Sequence, residues 1–396
     1  MNTVERKEYL DFLWEFKDRT DTAKIICGVR RCGKSTLMQQ IIERLTASGV
    51  SWSNIIYIDF ELAEWDFIKN QEDLKGYLKE HMYNGTTYVF FDEIQRVDGW
   101  EITVNALLAG TSVDLYITGS NSKLLSSELS TFITGRYVSI EVLPLSFREY
   151  SELHSGRGLD KYELFDKYIR YGAFPGVDPF GGERAIRATL EGLYTSIVYR
   201  DAIMRGKVGN VPEFERVVKF MMMNIGNPIS ANSIATSLGN VHSMTVDKYL
   251  GLLEQCYILY KAEKYDLKST VLSHSPKYYS VDVGIRNASL GYGTEDYGRL
   301  MENLVYLELI RNGDRVTVGK YGDSEVDFSV KTGSGTEYYQ VVYSMKEDKV
   351  KERELRVLNG LKDNYPKTVI STDTIRADLP NGIKHLNIID FLLGKR

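Results

Sequence analysis

The stretch Gly28-Val29-Arg30-Arg31-Cys32-Gly33-Lys34-Ser35-Thr36 constrains this chain more than any other. It reads G-x-x-x-x-G-K-S, and its surroundings suit a phosphate-binding loop. Ala23-Lys24-Ile25-Ile26-Cys27 before it is short and mostly apolar, as a buried parallel strand would be. Leu37, Ile41, Ile42 and Leu45 after it recur at helical spacing. A strand, a glycine-bounded loop and a helix start together make a nest of backbone N–H groups that favours a polyphosphate. Gly28, Arg30, Arg31, Cys32, Gly33, Lys34, Ser35 and Thr36 are therefore the expected nucleotide-binding set. In it Lys34 reaches the β- and γ-phosphates, and the Ser35 hydroxyl coordinates Mg²⁺.

A second chemical signal follows. Thr87-Tyr88-Val89-Phe90-Phe91 reads as a strand, with Asp92 and Glu93 at its C-terminal end. Ligands bind at that edge in open α/β sheets. Asp92 is expected to hold Mg²⁺ through its water shell and Glu93 to polarise an attacking water. Val113–Thr118 is a further strand running into Gly119-Ser120-Asn121. Ser120 and Asn121 either sense the γ-phosphate or cap a helix that begins at Lys123. Arg136, before the strand Tyr137–Val142, either stabilises charge on the transferring phosphoryl group or is a surface arginine in a turn. In the first case it acts in cis or from a neighbouring subunit.

Gly28–Thr36, Phe91-Asp92-Glu93, Ile117-Thr118-Gly119-Ser120 and Gly135-Arg136 followed by Leu143-Pro144-Leu145-Ser146-Phe147 resemble the AAA-superfamily P-loop ATPases of bacteria and archaea. Within them the likeness is to the family that carries a C-terminal domain of unknown function. The resemblance implies ATP and Mg²⁺ as cofactors, Lys34 and Glu93 in the reaction, and Arg136 as a finger acting in trans. It implies a core of five parallel strands, in agreement with the strands at 23–27, 54–60, 87–93, 113–118 and 137–142.

The expected fold class is α/β: an AAA-type P-loop NTPase parallel sheet over 1–145 and a helical lid over 146–210. A winged-helix domain over 211–290 and a restriction-endonuclease-like α/β domain over 291–396 complete it. Tyr168–Gly176 interrupts the lid, with Arg170 reaching the nucleotide or making a lid salt bridge. In 211–290, three helical stretches precede Tyr260–Tyr265 and Lys277–Tyr279, expected as the two strands of a wing. The third helix would expose His242, Ser243, Thr245 and Lys248, in the place where DNA binders read the major groove. Nine basic against seven acidic residues over 207–290 leave DNA or a protein as its partner.

In the last hundred residues a helix over Met301–Leu309 and strands over Glu325–Val330 and Glu337–Tyr343 resemble in their order the restriction-endonuclease-like fold, which implies a helix acid at Glu302 and a strand Asp at Asp327. Glu-x-Lys should follow, but Gln340-Val341-Val342 stands there. An amide replaces a carboxylate and an apolar side chain replaces the lysine, so the domain is expected to be inactive in cleavage.

Composition narrows the remaining classes. Over 396 residues, 43% hydrophobic and 26% charged content is that of a globular chain, enough for two to four domains at roughly 100–200 residues each. With 49 lysines and arginines against 54 aspartates and glutamates, the net charge of −5 excludes a generally basic nucleic-acid surface. No apolar run approaches ~18 residues and Met1–Leu10 has no apolar core, so no membrane is expected and the cytoplasm is the expected compartment. Cys27, Cys32 and Cys256 are too few and too scattered for a disulfide framework. Cys32, inside the loop, is the one open to oxidation. The function this supports is Mg²⁺-dependent ATP binding and hydrolysis that moves the C-terminal domains, with DNA as a candidate partner and homo-oligomerisation implied if Arg136 acts in trans. A nucleotide-gated protein-binding switch with negligible turnover is the alternative, and an ATP-controlled nuclease a third.

Overall fold

The computed structural model describes residues 3–395 apart from 84, 111, 121–132, 134, 205, 240, 269–270, 273–274, 294–295, 323 and 334. Two compact units divide the chain: residues 1–143 with Gln255–Tyr257, and Pro144–Glu254 with Ile258–Arg396.

The first unit runs α1 (Lys7–Trp14), β1 (Ala23–Cys27), α2 (Lys34–Ala47), β2 (Ile55–Asp59), α3 (Gln71–His81), β3 (Thr87–Asp92), α4 (Trp100–Gly110), β4 (Val113–Gly119) and β5 (Tyr137–Glu141). Its five strands are all parallel, in the order β2-β3-β4-β1-β5. β1, β3 and β4 are buried along their whole length, as near-continuous apolar strands in a parallel sheet are. Lys24 is the exception within β1. Its ammonium lies 2.5 Å from Asp114 of β4 and donates to the Arg19 carbonyl, so the buried charge is paired and hydrogen-bonded.

Helical spacing suggests a helix from Trp65, yet α3 begins only at Gln71. The Asn70 side chain accepts from the N–H groups of Glu72 and Asp73, and the Asp73 carboxylate accepts from Asn70 N–H. This capping box starts the helix there.

In the second unit α5 (Phe147–Leu153), α6 (Lys161–Tyr171) and α7 (Glu183–Thr195) come first, α7 running on as a π-helix through Met204. Next come α8 (Val211–Met223), α9 (Ala231–Leu238), α10 (Ser243–Gln255), β6 (Leu259–Ala262), β7 (Lys264–Asp266), β8 (Lys277–Ser280) and α11 (Val283–Leu290). The rest is α12 (Tyr297–Arg311), β9 (Arg315–Tyr321), β10 (Ser324–Thr332), β11 (Gly335–Val341), α13 (Asp348–Gly360), β12 (Lys367–Ser371), β13 (Lys384–Asn387) and α14 (Ile388–Leu392).

β6 and β8 form the antiparallel hairpin expected from Tyr260 and Lys277. The first strand of that hairpin, however, ends at Ala262. Lys264–Asp266 leaves it and pairs parallel with β9, extending a six-stranded sheet of order β13-β12-β11-β10-β9-β7. No helix among the described residues is long and apolar enough to cross a membrane.

The Tyr168–Gly176 interruption has a structural cause. α6 ends at Tyr171 and Gly172 takes φ +76°; a Cβ there would meet the Asp282 carboxylate at 2.1 Å. Gly284 is equally obliged, since its Cβ would lie 2.1 Å from the Tyr171 carbonyl. Asp282 caps α11 by accepting from Ile285 N–H at 3.0 Å and also accepts from Ala173 N–H at 2.7 Å, joining the end of α6 to the start of α11.

Candidate functional site

At the C-terminal edge of the parallel sheet the loop 28–33 passes from β1 into α2. Gly28, at φ +139°, is obligatory: a Cβ would stand 2.3 Å from the Val142 carbonyl. The Lys34 ammonium is buried and donates to the carbonyls of Gly28 and Val29 at 3.0 and 3.1 Å. Ser35 and Thr36 are exposed in the first turn of α2, and Gly33 precedes them as its N-cap. Arg30 turns away into an ion pair with Glu61, which Arg96 approaches at 3.6 Å, and Arg31 is exposed with φ +65°. Cys32 corrects the expectation of an oxidisable thiol: it is fully buried, and burial raises its pKa, so no thiolate is presented.

Arg6 was not legible as a site residue. Its buried guanidinium donates to the Cys32 carbonyl at 3.2 Å and the Leu143 carbonyl at 3.0 Å, bracing the loop from behind, and lies 4.7 Å over the Tyr9 ring. Nothing in the spacing of α1 marks it out.

Asp92 and Glu93 end β3 beside this loop. Tyr57 OH donates to Asp92 Oδ2 at 3.0 Å, and Thr118 Oγ1 donates to Oδ1. Both Asp92 oxygens are thus oriented by hydroxyls. Glu93 stands in the left-handed region at φ +55°, and its N–H donates to Thr118 Oγ1 at 3.0 Å. The Glu93 carboxylate accepts from Ser120 Oγ at 3.1 Å and from Gln95, and lies 3.7 Å from Lys34 Nζ. Lys34, Asp92, Glu93, Thr118 and Ser120 therefore converge, although three separate stretches of chain supply them.

Residues 20–151 match the AAA domain family, and residues 162–296 match a domain of unknown function, DUF8612. The chain is 36% identical over 403 residues to an uncharacterized protein of Haemophilus influenzae, with 98% of each chain covered. The two belong to one family, and it carries an AAA domain. An uncharacterized protein of Methanocaldococcus jannaschii is 32% identical over 361 residues, covering 86% of this chain and 79% of its own. Among solved structures, the Aeropyrum pernix ORC1 protein in complex with DNA is similar at TM-score 0.33 and 12% identity, covering 72% of this chain and 92% of that one. DnaA of Aquifex aeolicus bound to AMPPCP is similar at TM-score 0.30 and 15% identity, covering 63% and 87%. TM-scores of this size carry no argument of their own.

Within the AAA domain one remaining candidate, Arg136, falls apart from the cluster. Asn121 lies outside the described residues. Arg136 precedes β5, and the register of β5 against β1 pairs Tyr137 with Ala23 and Glu141 with Cys27. Arg136 is therefore at the N-terminal edge of the sheet, about 20 Å from the loop at ~3.3 Å per strand residue. There it donates to Asn105 and to the Ile133 carbonyl. A role toward its own P-loop does not fit this placement. Arg170, in the second unit, makes a salt bridge to Glu183 at 2.6 Å.

A second cluster gathers Glu302, Glu325, Asp327 and Gln340 in the second unit, and it includes a lysine that spacing did not supply. Lys277, from β8, is buried among the three carboxylates. Burial alone would lower its pKa, but Glu302, Asp327 and Glu325 outweigh it and raise it. Burial, with the charge of Glu302 adding to it, pushes the Asp327 carboxyl well above the usual carboxylate range.

Proposed function

We propose that the AAA domain binds and hydrolyses ATP with Mg²⁺ and that hydrolysis drives movement of the second unit. The observation that carries this is the meeting of Lys34, Asp92, Glu93 and Ser120 at the sheet edge where phosphates are bound in such folds. Lys34 exchanges its loop carbonyls for phosphate oxygens, and Glu93 positions and polarises the water. Ser120 keeps Glu93 aimed.

Mg²⁺ fits the donors present. Asp92 offers an oriented carboxylate and Ser35 an exposed hydroxyl. That suits an ion that keeps most of its waters and is held largely by phosphate. When bound, it would neutralise charge on the transferring phosphoryl group. A contribution from Arg136 would come in trans, from a second copy.

For the second unit, we read 146–210 as a lid, 211–290 as a winged helix and 291–396 as a restriction-endonuclease-like domain without cleavage. The pairing of β7 with β9 supports treating the last two as one moving body. DNA is the candidate partner because His242, Met244 and Lys248 are exposed around the first turns of α10; a protein is the alternative.

Glu93→Gln tests the chemistry. Turnover should fall by at least ~100-fold, the scale of lost general-base catalysis, while ATP still binds. Unchanged turnover would remove Glu93 from the mechanism. Full binding with negligible turnover in the unsubstituted protein would favour the nucleotide-gated switch.

A further inference from the structure

In the second unit three carboxylates from two elements surround one ammonium. Lys277 Nζ lies 2.9 Å from Glu302 Oε1 of α12, 2.7 Å from Glu325 Oε1 and 3.5 Å from Asp327 Oδ1, both of β10. Its side chain is 4% exposed. Two of the remaining oxygens are also engaged: Lys264 Nζ pairs with Glu325 Oε2, and Val341 N–H donates to Asp327 Oδ2 at 2.9 Å. Tyr279 OH donates to the same Glu302 Oε1 at 2.7 Å. Gln340 accepts from Asp327 N–H through its amide oxygen and donates to Glu354 at 2.9 Å through its amide nitrogen.

An ammonium has three donors and no acceptor, and this one meets three acceptors, one from each carboxylate. Oxygen donors from several carboxylates are also what a hard divalent cation takes. We infer that Lys277 is the resident cation of a closed carboxylate cage: it fills the position a divalent metal ion would need, excludes the metal, and fastens the β6–β8 hairpin to α12 and β10.

Chemistry, more than shape, closes the cage. A metal ion entering it would displace a buried ammonium that has no other side-chain acceptor among the described residues, leaving that charge unpaired in the interior. Removing the ammonium leaves three carboxylates with Lys264 opposite, an arrangement that draws a cation. Gln340 contributes to closure by turning its amide nitrogen to Glu354 and its oxygen to backbone. The inference rests on this geometry and is independent of the ATPase reading.

The test is Mn²⁺ binding to the full chain without nucleotide, followed by electron paramagnetic resonance. Lys277→Ala should bind one more Mn²⁺ per chain than the unsubstituted protein, and adding Asp327→Asn should remove it. If Lys277→Ala is too unstable for the titration, thermal unfolding supplies the same answer. Mn²⁺ should then restore cooperative melting to Lys277→Ala but not to Lys277→Ala with Asp327→Asn. Two results overturn the inference: Mn²⁺ binding by the unsubstituted protein that Asp327→Asn alone removes, or a Lys277→Ala protein that gains neither Mn²⁺ nor stability from it. Because nucleotide is absent, failure here leaves the proposed hydrolysis untouched.

Discussion

Between Asp92 and Glu93 the backbone leaves the extended strand for the left-handed region, and the two carboxylates point to different partners. A non-glycine residue there costs roughly 1 kcal/mol or more, and a hydrogen bond from Glu93 N–H to Thr118 Oγ1 at 3.0 Å helps to hold it. Thr118 thus serves both residues at once, since its own proton goes to Asp92. Removing it should be costly without touching phosphate. Thr118→Val keeps the shape, so ATP affinity should change little. Turnover should fall ~10–100-fold, the usual effect of losing a group that orients an active residue. A steady-state assay beside an ATP-binding isotherm checks both, and unaltered turnover would reduce Thr118 to packing. The P-loop and the acidic pair were legible because their chemistry is tied to local strings. Tyr57, Thr118 and Arg6 were not, because each acts across 25 to 137 residues of chain and leaves no spacing behind.

Elements show the same division. The parallel strands β1, β3 and β4, buried on both faces, announce themselves as apolar runs; the edge strands β2 and β5, only partly buried, were readable too. Ladder partners are another matter. Nothing in Lys264-Tyr265-Asp266 says that it abandons β6 for β9, because a three-residue strand carries too little pattern to choose a sheet. The glycines at 172 and 284 were visible only as residues; their reason is a close approach between the end of α6 and α11, with Asp282 between them.

That carboxyl gives the joint a pH signature. Burial, opposed by the N–H groups of Ala173, Ile285 and Gly284, raises its pKa from 3.8 to about 6. The folded chain therefore keeps a proton that the unfolded chain has released between roughly pH 4 and 6. Asp282 accordingly subtracts stability as pH rises through that window and no more above it, up to ~3 kcal/mol in all. Urea unfolding should show the unsubstituted protein losing stability relative to Asp282→Asn from pH 4 to pH 6.5. Parallel curves for the two proteins would mean that the carboxyl is ionised throughout.

For the whole molecule, the constraint is charge. A net charge of −5 cannot hold DNA by general attraction, so any DNA contact must be local and involve few phosphates. The exposed start of α10 offers His242 and Lys248 beside Asp247, with Met244 84% exposed between them. A contact of two or three phosphates implies a shallow salt dependence, with log affinity falling by ~2–3 per tenfold rise in salt. If this surface meets duplex DNA, steady-state ATP turnover should rise with duplex at low salt and lose the stimulation gradually as salt increases. Lys248→Glu should remove the stimulation and leave basal turnover unchanged, since it lies outside the AAA domain. Stimulation that survives Lys248→Glu would place the DNA contact elsewhere in the chain. Turnover indifferent to DNA even at low salt would instead make a protein the partner of α10, and Met244 the first side chain to substitute in mapping it.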